Sequence, residues 1–217
     1  MLLKLQEVTK IFDKNLLALD KISFQMEKGD FFFLVGPNKA GKTTLLKLIS
    51  LEERPTQGDI LFDEFHSRMI KKNEIPLLRR KMGRIFYDFR LINDMSVFDN
   101  VALGLRILGK KESRIKHKVQ QVLAMVGLSG KEKILPHHLS AGEKQKVSIA
   151  RAIAKDPLLL LADEPTLNLD DGSTDEILRL LKQINLLGTA VLFATHNLRL
   201  GAGNSTKILR LEKGKLI

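Results

Sequence analysis

Cysteine and tryptophan are absent from this 217-residue chain, tyrosine occurs once, and aromatic residues make up only 6% of it. Without thiols there are no disulfides, no thiolate metal ligands and no cysteine nucleophile, so chemistry must come from oxygen, imidazole and amine groups. Long apolar runs are missing as well. The longest aliphatic stretch, Leu158 to Ala162, is far short of the roughly 20 residues that span a bilayer. Met1 to Lys10 lacks the continuous apolar core of a signal peptide. The expectation is a cytosolic chain that reaches a membrane only through another protein. Acidic residues are the minority charge: 25 Asp and Glu against 36 Lys and Arg, a formal net charge of +11. Such an excess calls for an acidic partner, whether nucleic acid, an anionic membrane surface or nucleotide phosphates.

What is present suffices for a packed core. With 44% hydrophobic and 28% charged residues, the composition fits one large globular domain or two small ones. Leu3, Leu5, Ile22, Phe24 and Met26 alternate with polar residues around Asp13-Lys14-Asn15, which predicts an N-terminal β-hairpin. Phe31 to Val35, Leu158 to Ala162 and Ala190 to Ala194 are unbroken apolar runs, the pattern of strands buried on both faces of a parallel sheet. Between the first run and the last two the period changes. Ile115, Val119, Val122, Leu123 and Val126 fall at i, i+4, i+7, i+8 and i+11, one face of a helix. Ser96 with Asp99 opens the helix before it and Ser140 with Glu143 the one after, each read as a capping box. Residues 88–155 are therefore expected to form a helical insert in an α/β core. No repeat, low-complexity tract or flexible linker interrupts residues 1–217, so one domain with two lobes is expected.

Gly36-Pro37-Asn38-Lys39-Ala40-Gly41-Lys42-Thr43-Thr44 follows the first buried strand and precedes an apolar helix, the context required of a G-x-x-x-x-G-K-[ST] phosphate loop. Backbone N–H groups would converge on an anion there, Lys42 would reach the β- and γ-phosphates, and Thr43 would ligate Mg²⁺. A nucleoside triphosphate is the expected ligand. The run from Leu158 ends in Asp163 and Glu164, at the carboxyl edge of the sheet where α/β ligands bind. Asp163 is expected to hold Mg²⁺, directly or through water, and Glu164 to orient or deprotonate the attacking water. His196 follows the third buried strand and should emerge at the same edge, as a γ-phosphate contact.

Taken in order, these motifs resemble those of the ATP-binding subunits of ABC transporters. Leu139-Ser140-Ala141-Gly142-Glu143-Lys144-Gln145 looks like that family's signature and Asn168-Leu169-Asp170 like its D-loop, and the resemblance covers nearly the whole chain. It implies a P-loop NTPase (RecA-like) α/β core with an N-terminal antiparallel β-subdomain and an inserted α-helical subdomain. It also implies ATP and Mg²⁺ as ligands, hydrolysis to ADP and phosphate, and a head-to-tail homodimer with two ATPs at the interface. Ser140, Gly142 and Glu143 would then meet the γ-phosphate held by the other protomer, with Asp170 at the same interface, so that a monomer cannot complete its own site. The start of that helix has a chemistry of its own too: a capped N-terminus whose free N–H groups suit an anion.

An integral membrane subunit is the partner implied, docking through a short cytoplasmic helix near the Q-loop and helical insert. The chain would sit peripherally on the cytoplasmic face of the inner membrane. Within the family, "LLKLI", "FYDFRLI", "DNVALGL", "ARAIAKDP" and "LLADEPTLNLD" look like the branch that serves bacterial cell division. Lipoprotein-release and macrolide-export subunits share most of the last motif. A regulatory scaffold that binds ATP and hardly turns it over is a further reading. Nucleic-acid ATPases use similar motifs but carry long heptad coiled coils; none is visible here, and no nucleic acid is expected.

Several positions depart from the family's pattern. Lys39 stands where glycine is common, Ala141 replaces the first glycine of the signature pair, and Leu167 stands where near relatives have glycine. Phe12 falls where the family has an adenine-stacking tyrosine and keeps the π-face. Tyr87 falls at the Q-loop glutamine, whose amide oxygen faces Mg²⁺ and the attacking water. A phenol is bulkier and a poorer neutral ligand, so slow hydrolysis is implied. The surrounding "GRIFYDFRLI" predicts a strand ending at Phe86, with that ring in the core, and a hinge from Tyr87 to Leu91.

Overall fold

The computed structural model describes residues 1–13, 16–202 and 207–217, residues 201 and 202 by backbone alone. Lys14 and Asn15 of the predicted turn lie outside them. The strands on either side, β1 (Leu3–Phe12) and β2 (Leu16–Met26), pair antiparallel as the alternation requires. After β3 (Phe31–Val35) come α1 (Lys42–Ile49), β4 (Gln57–Phe62), β5 (Phe65–His66), α2 (Ile75–Arg80) and β6 (Met82–Ile85). Three helices follow: α3 (Val97–Ile107), α4 (Glu112–Met125) and α5 (Ala141–Ile153). The chain closes with β7 (Leu159–Asp163), α6 (Asp171–Leu186), β8 (Ala190–Thr195), α7 (Leu198–Ala202), β9 (Lys207–Glu212) and β10 (Lys215–Leu216).

Two sheets result. An antiparallel one runs β2-β1-β4-β5, and a six-stranded one runs β10-β9-β3-β8-β7-β6, parallel from β9 through β6. The parallel sheet is covered on both faces, which is why its strands read as continuous apolar runs. Phe31, Phe33, Leu160, Ala162, Val191 and Phe193 point into one core shared with α3 to α6. Their neighbours Phe32, Leu34, Leu159, Leu161, Leu192 and Ala194 point into a second core with α1 and the antiparallel sheet. Each large side chain fully buried in this way contributes about 1.5–3 kcal/mol.

The helix read around Ile115 is α4, with Ile115, Val119, Val122 and Leu123 buried. Ser140 and Glu143 form a complete capping box on α5. Ser96 and Asp99 form only half of one. Ser96 Oγ accepts from the Asp99 N–H at 3.1 Å, but the Asp99 carboxylate takes the Ser96 hydroxyl (2.6 Å) and Arg106 (2.9 Å). The nearby guanidinium outcompetes a backbone N–H for the carboxylate, a charge-assisted bond being the stronger. β7 begins one residue later than the apolar run and ends on Asp163.

Phe86 is a correction. β6 is the edge strand, alternation sends Ile85 inward, and Phe86 turns to the opposite face just past the strand's end. It is half-buried under two guanidiniums, Arg84 at 4.9 Å and Arg90 at 4.0 Å from the ring centroid.

Candidate functional site

At the carboxyl ends of β3 and β7 lies a cleft of about 710 Å³. The loop after β3 forms its floor, and glycine is required there for steric reasons. A Cβ on Gly36 would stand 2.1 Å from the Leu211 carbonyl oxygen, and Gly41 holds φ +109°. Lys39 also sits in the left-handed region, at φ 67°, a conformation glycine adopts freely and lysine at a cost of about 1 kcal/mol. Gly41 caps α1 without a side-chain acceptor, and the first turn carries no acidic residue. Its N–H groups and positive dipole end therefore face the cleft ready for an anion.

Around that loop the candidate side chains converge. Lys42 is buried, with Nζ donating to the carbonyls of Gly36 (2.7 Å) and Pro37 (3.1 Å) and lying 3.3 Å from Glu164 Oε1. Thr43 Oγ1 donates to Asp163 Oδ1 at 3.1 Å. Glu164 stands just past β7 at φ 46°, its N–H bonded to the Ala194 carbonyl at 2.9 Å. Its Oε2 meets His196 Nδ1 at 3.0 Å, while the buried Oε1 faces the Lys42 ammonium as an ion pair without hydrogen-bond geometry. Burial pushes the Asp163 carboxyl above its ordinary pKa, against the Thr43 hydrogen bond and the Arg84 and Lys42 charges, which pull it down. The hydroxyl and carboxylate of Thr43 and Asp163 are hard oxygen donors of the kind Mg²⁺ takes alongside phosphate oxygens and water. The residues present fit that ion.

Phe12 stands at the cleft, with Lys10 Nζ 4.8 Å from its ring centroid on one side. Asn38 through Thr44 and the half-exposed Tyr87 line it too. His196 joins through Glu164, and the two share a neighbouring cavity. Ser140, Gly142, Glu143 and Asp170 do not line the nucleotide-sized cleft. They cluster at helix starts instead. Asp170 caps α6 by accepting from the Ser173 N–H at 2.8 Å, and Gly142 faces Ser173, whose Oγ would lie 3.3 Å from an added Cβ. Glu143 is held by Lys131 and by the Ser140 N–H, which keep its carboxyl below the usual range.

Sequence reasoning missed Lys213 and Gly214, which line the cleft from the β9–β10 turn. The Gly214 N–H donates to the Ala40 carbonyl at 3.1 Å, buttressing the phosphate loop from below. A lysine-glycine pair in a turn carries no motif, and only the sheet order brings it here.

A family model for the ABC transporter matches residues 19–167. The chain belongs to the ABC transporter family, as one of its ATP-binding subunits. Among particular proteins, it is 43% identical over 218 residues to the cell division ATP-binding protein FtsE of Mycobacterium tuberculosis, spanning 100% of this chain and 95% of that one. FtsE of Escherichia coli is 43% identical over 215 residues, spanning 99% and 97%, and FtsE of Bacillus subtilis is 41% identical over 216 residues, spanning 100% and 95%. Among solved structures, a dimeric ATP-binding cassette in a post-hydrolysis state bound to ADP and Pi superposes with a TM-score of 0.88 at 30% identity, covering 99% of this chain and 96% of that one. The protein cbiO1 of Clostridium perfringens, part of an ABC transporter complex, gives 0.89 at 29% identity, covering 100% and 86%.

Proposed function

We propose that this chain is the ATP-hydrolysing subunit of a bacterial cell-division assembly, working with an FtsX-like integral membrane subunit. The observation that carries the hydrolytic part is the meeting of Lys42, Thr43, Asp163 and Glu164 at one cleft floored by a glycine-bearing loop, with His196 joined to it through Glu164. Lys42 exchanges its two carbonyls for the β- and γ-phosphates. Thr43 and Asp163 would hold Mg²⁺, which when bound offsets the charge that develops on the phosphates. Glu164 accepts the proton of the attacking water, and His196 fixes the carboxylate from its other oxygen at the γ-phosphate side. Phe12 stacks the adenine.

Ser140, Gly142 and Glu143, with Asp170, complete the site of a second copy in a head-to-tail homodimer, since they lie away from the chain's own cleft. A single domain of residues 1–217 with a helical lobe at about 88–155 is the unit of this motion, closing on ATP and reopening after hydrolysis. No helix among the described residues is long and apolar enough to cross a membrane; the reading has the chain held peripherally at the inner membrane's cytoplasmic face by its partner.

Tyr87, lining the cleft with Asp163 and Glu164, favours a second reading in which turnover is slow and ATP-driven dimerisation is the regulatory output. The test of both is isolation from the native membrane with identification of what accompanies the chain, followed by phosphate-release assays of that complex. An FtsX-like protein with MgATP turnover is expected. A lipoprotein-release permease in its stead overturns the cell-division role, and a complex that dimerises with ATP and releases no phosphate selects the second reading.

A further inference from the structure

We propose that Arg151, Arg90, Phe86 and Arg84 form a cation–π relay that couples the signature helix α5 to the phosphate-loop helix α1 without using the side chain at position 87. Arg151 lies in the last turn of α5 and is mostly buried. Its guanidinium donates to the Arg90 carbonyl at 2.5 Å and to the Phe89 carbonyl at 2.7 Å. Those two residues stand consecutively at φ 59° and 47°, a conformation that residues with a Cβ avoid. A two-pronged grip from a rigid fork is what fixes such a backbone.

The grip propagates. The side chain of Arg90, whose backbone Arg151 holds, lies with its guanidinium 4.0 Å from the Phe86 ring centroid, and Arg84 lies 4.9 Å from the same ring. Arg84 in turn donates to Ser50 Oγ at 2.8 Å and to the Leu46 carbonyl at 3.3 Å, at the C-terminal end of α1. Three guanidiniums crowd one loop at a Coulombic cost to Arg84 and Arg151, both of which feel Arg90. The ring face, Glu52 at 2.7 Å from Arg84 and Asp88 at 3.4 Å from Arg90 offset it. One end of the chain is a helix that starts at Ser140 and the other a helix that starts at Lys42. Under the nucleotide reading above, on which this inference rests, those two starts contact two different ATPs, and the relay ties their movements together. Arg151, Phe86 and Arg84 are positioning residues here, since none lines the nucleotide cleft.

The experiment uses the full chain with MgATP and compares Phe86→Leu, which keeps bulk and loses the π-face, with Phe86→Tyr, which keeps both. Nucleotide affinity is read by equilibrium binding, dimerisation by sedimentation, and turnover by phosphate release. Phe86→Leu is expected to leave MgATP affinity within about twofold and to weaken MgATP-driven dimerisation and kcat by roughly 3- to 30-fold, the range a cation–π contact commands; Phe86→Tyr restores both. Arg151→Lys, which keeps charge and loses the fork, should match Phe86→Leu, and the double variant should be no worse than either single one. Equal behaviour of the Leu and Tyr variants overturns the relay, as does a double variant whose defect is the product of the two. If Arg151→Lys does not fold, the Phe86 pair decides alone. A wild type that neither dimerises with MgATP nor releases phosphate sinks the functional reading together with the relay, whereas an active wild type with multiplying defects sinks the relay alone.

Discussion

His196 Nδ1 lies 3.0 Å from Glu164 Oε2 while Lys42 Nζ lies 3.3 Å from Glu164 Oε1, so the two oxygens of one carboxylate face two different cationic or imidazole groups, one from the start of α1 and one from the loop after β8. Replacing the acid with an amide keeps that shape and removes the base. Glu164→Gln should reduce MgATP turnover at least about 100-fold, the lower bound for a general base, while equilibrium binding of MgATP persists. Equal phosphate release from the two proteins would take Glu164 out of the chemistry.

Tyr87 faces the same cleft with its ring half exposed. An amide at this position reaches a metal or a water that the phenol reaches poorly. Tyr87→Gln should raise kcat severalfold in a steady-state assay with saturating MgATP. An unchanged kcat would mean that the site works without that amide.

Asp163 pits stability against function. Burial raises its folded pKa above that of an ordinary aspartate, so the native state holds the proton more tightly than the unfolded chain does. Stability therefore falls as pH rises from the unfolded carboxylate range through the raised folded value, and the deficit persists above it. In metal-free buffer Asp163→Asn should melt at a higher temperature than the wild type at pH 8, with the gap narrowing toward pH 4. Turnover should be lost at every pH. A variant that melts lower at pH 8 would show that the carboxylate's hydrogen bond to Thr43 outweighs its desolvation.

The composite site can be tested by mixing. Lys42→Ala disables the phosphate loop and Ser140→Asp the opposite helix start, so each homodimer should be inactive. In a 1:1 mixture about half of the dimers pair the two variants and hold one intact site of two, which predicts about a quarter of wild-type turnover. A mixture as inactive as its components would mean that each chain completes its own site.

The phosphate loop was legible because its constraints are local. Gly41 answers to a left-handed dihedral of the turn itself, and the lysine and threonine follow at fixed spacing. The buried strands were legible because a sheet covered on both faces leaves no room for polar residues. What the sequence hid depends on distant neighbours. Phe86 read as core because phenylalanine usually is, but β6 proved to be the sheet's edge, and arginines cover the ring. Strands β9 and β10, at the other edge, mix charged residues with aliphatics without strict alternation, too weak a pattern to stand out. Asp99 resembled a capping partner until Arg106, seven residues on, claimed its carboxylate. Lys213 had no motif at all.

Adjacent residues of β7 serve opposite sides of the parallel sheet, Leu160 the helical core and Leu161 the core beneath the antiparallel sheet. Trimming either to alanine removes a similar volume one peptide apart, yet the damage should surface in different halves of the molecule. Hydrogen exchange would then accelerate in α3 and α4 for Leu160→Ala and in β1 and β4 for Leu161→Ala. The sheet would act as a bulkhead, with each half able to loosen while the other stays shut.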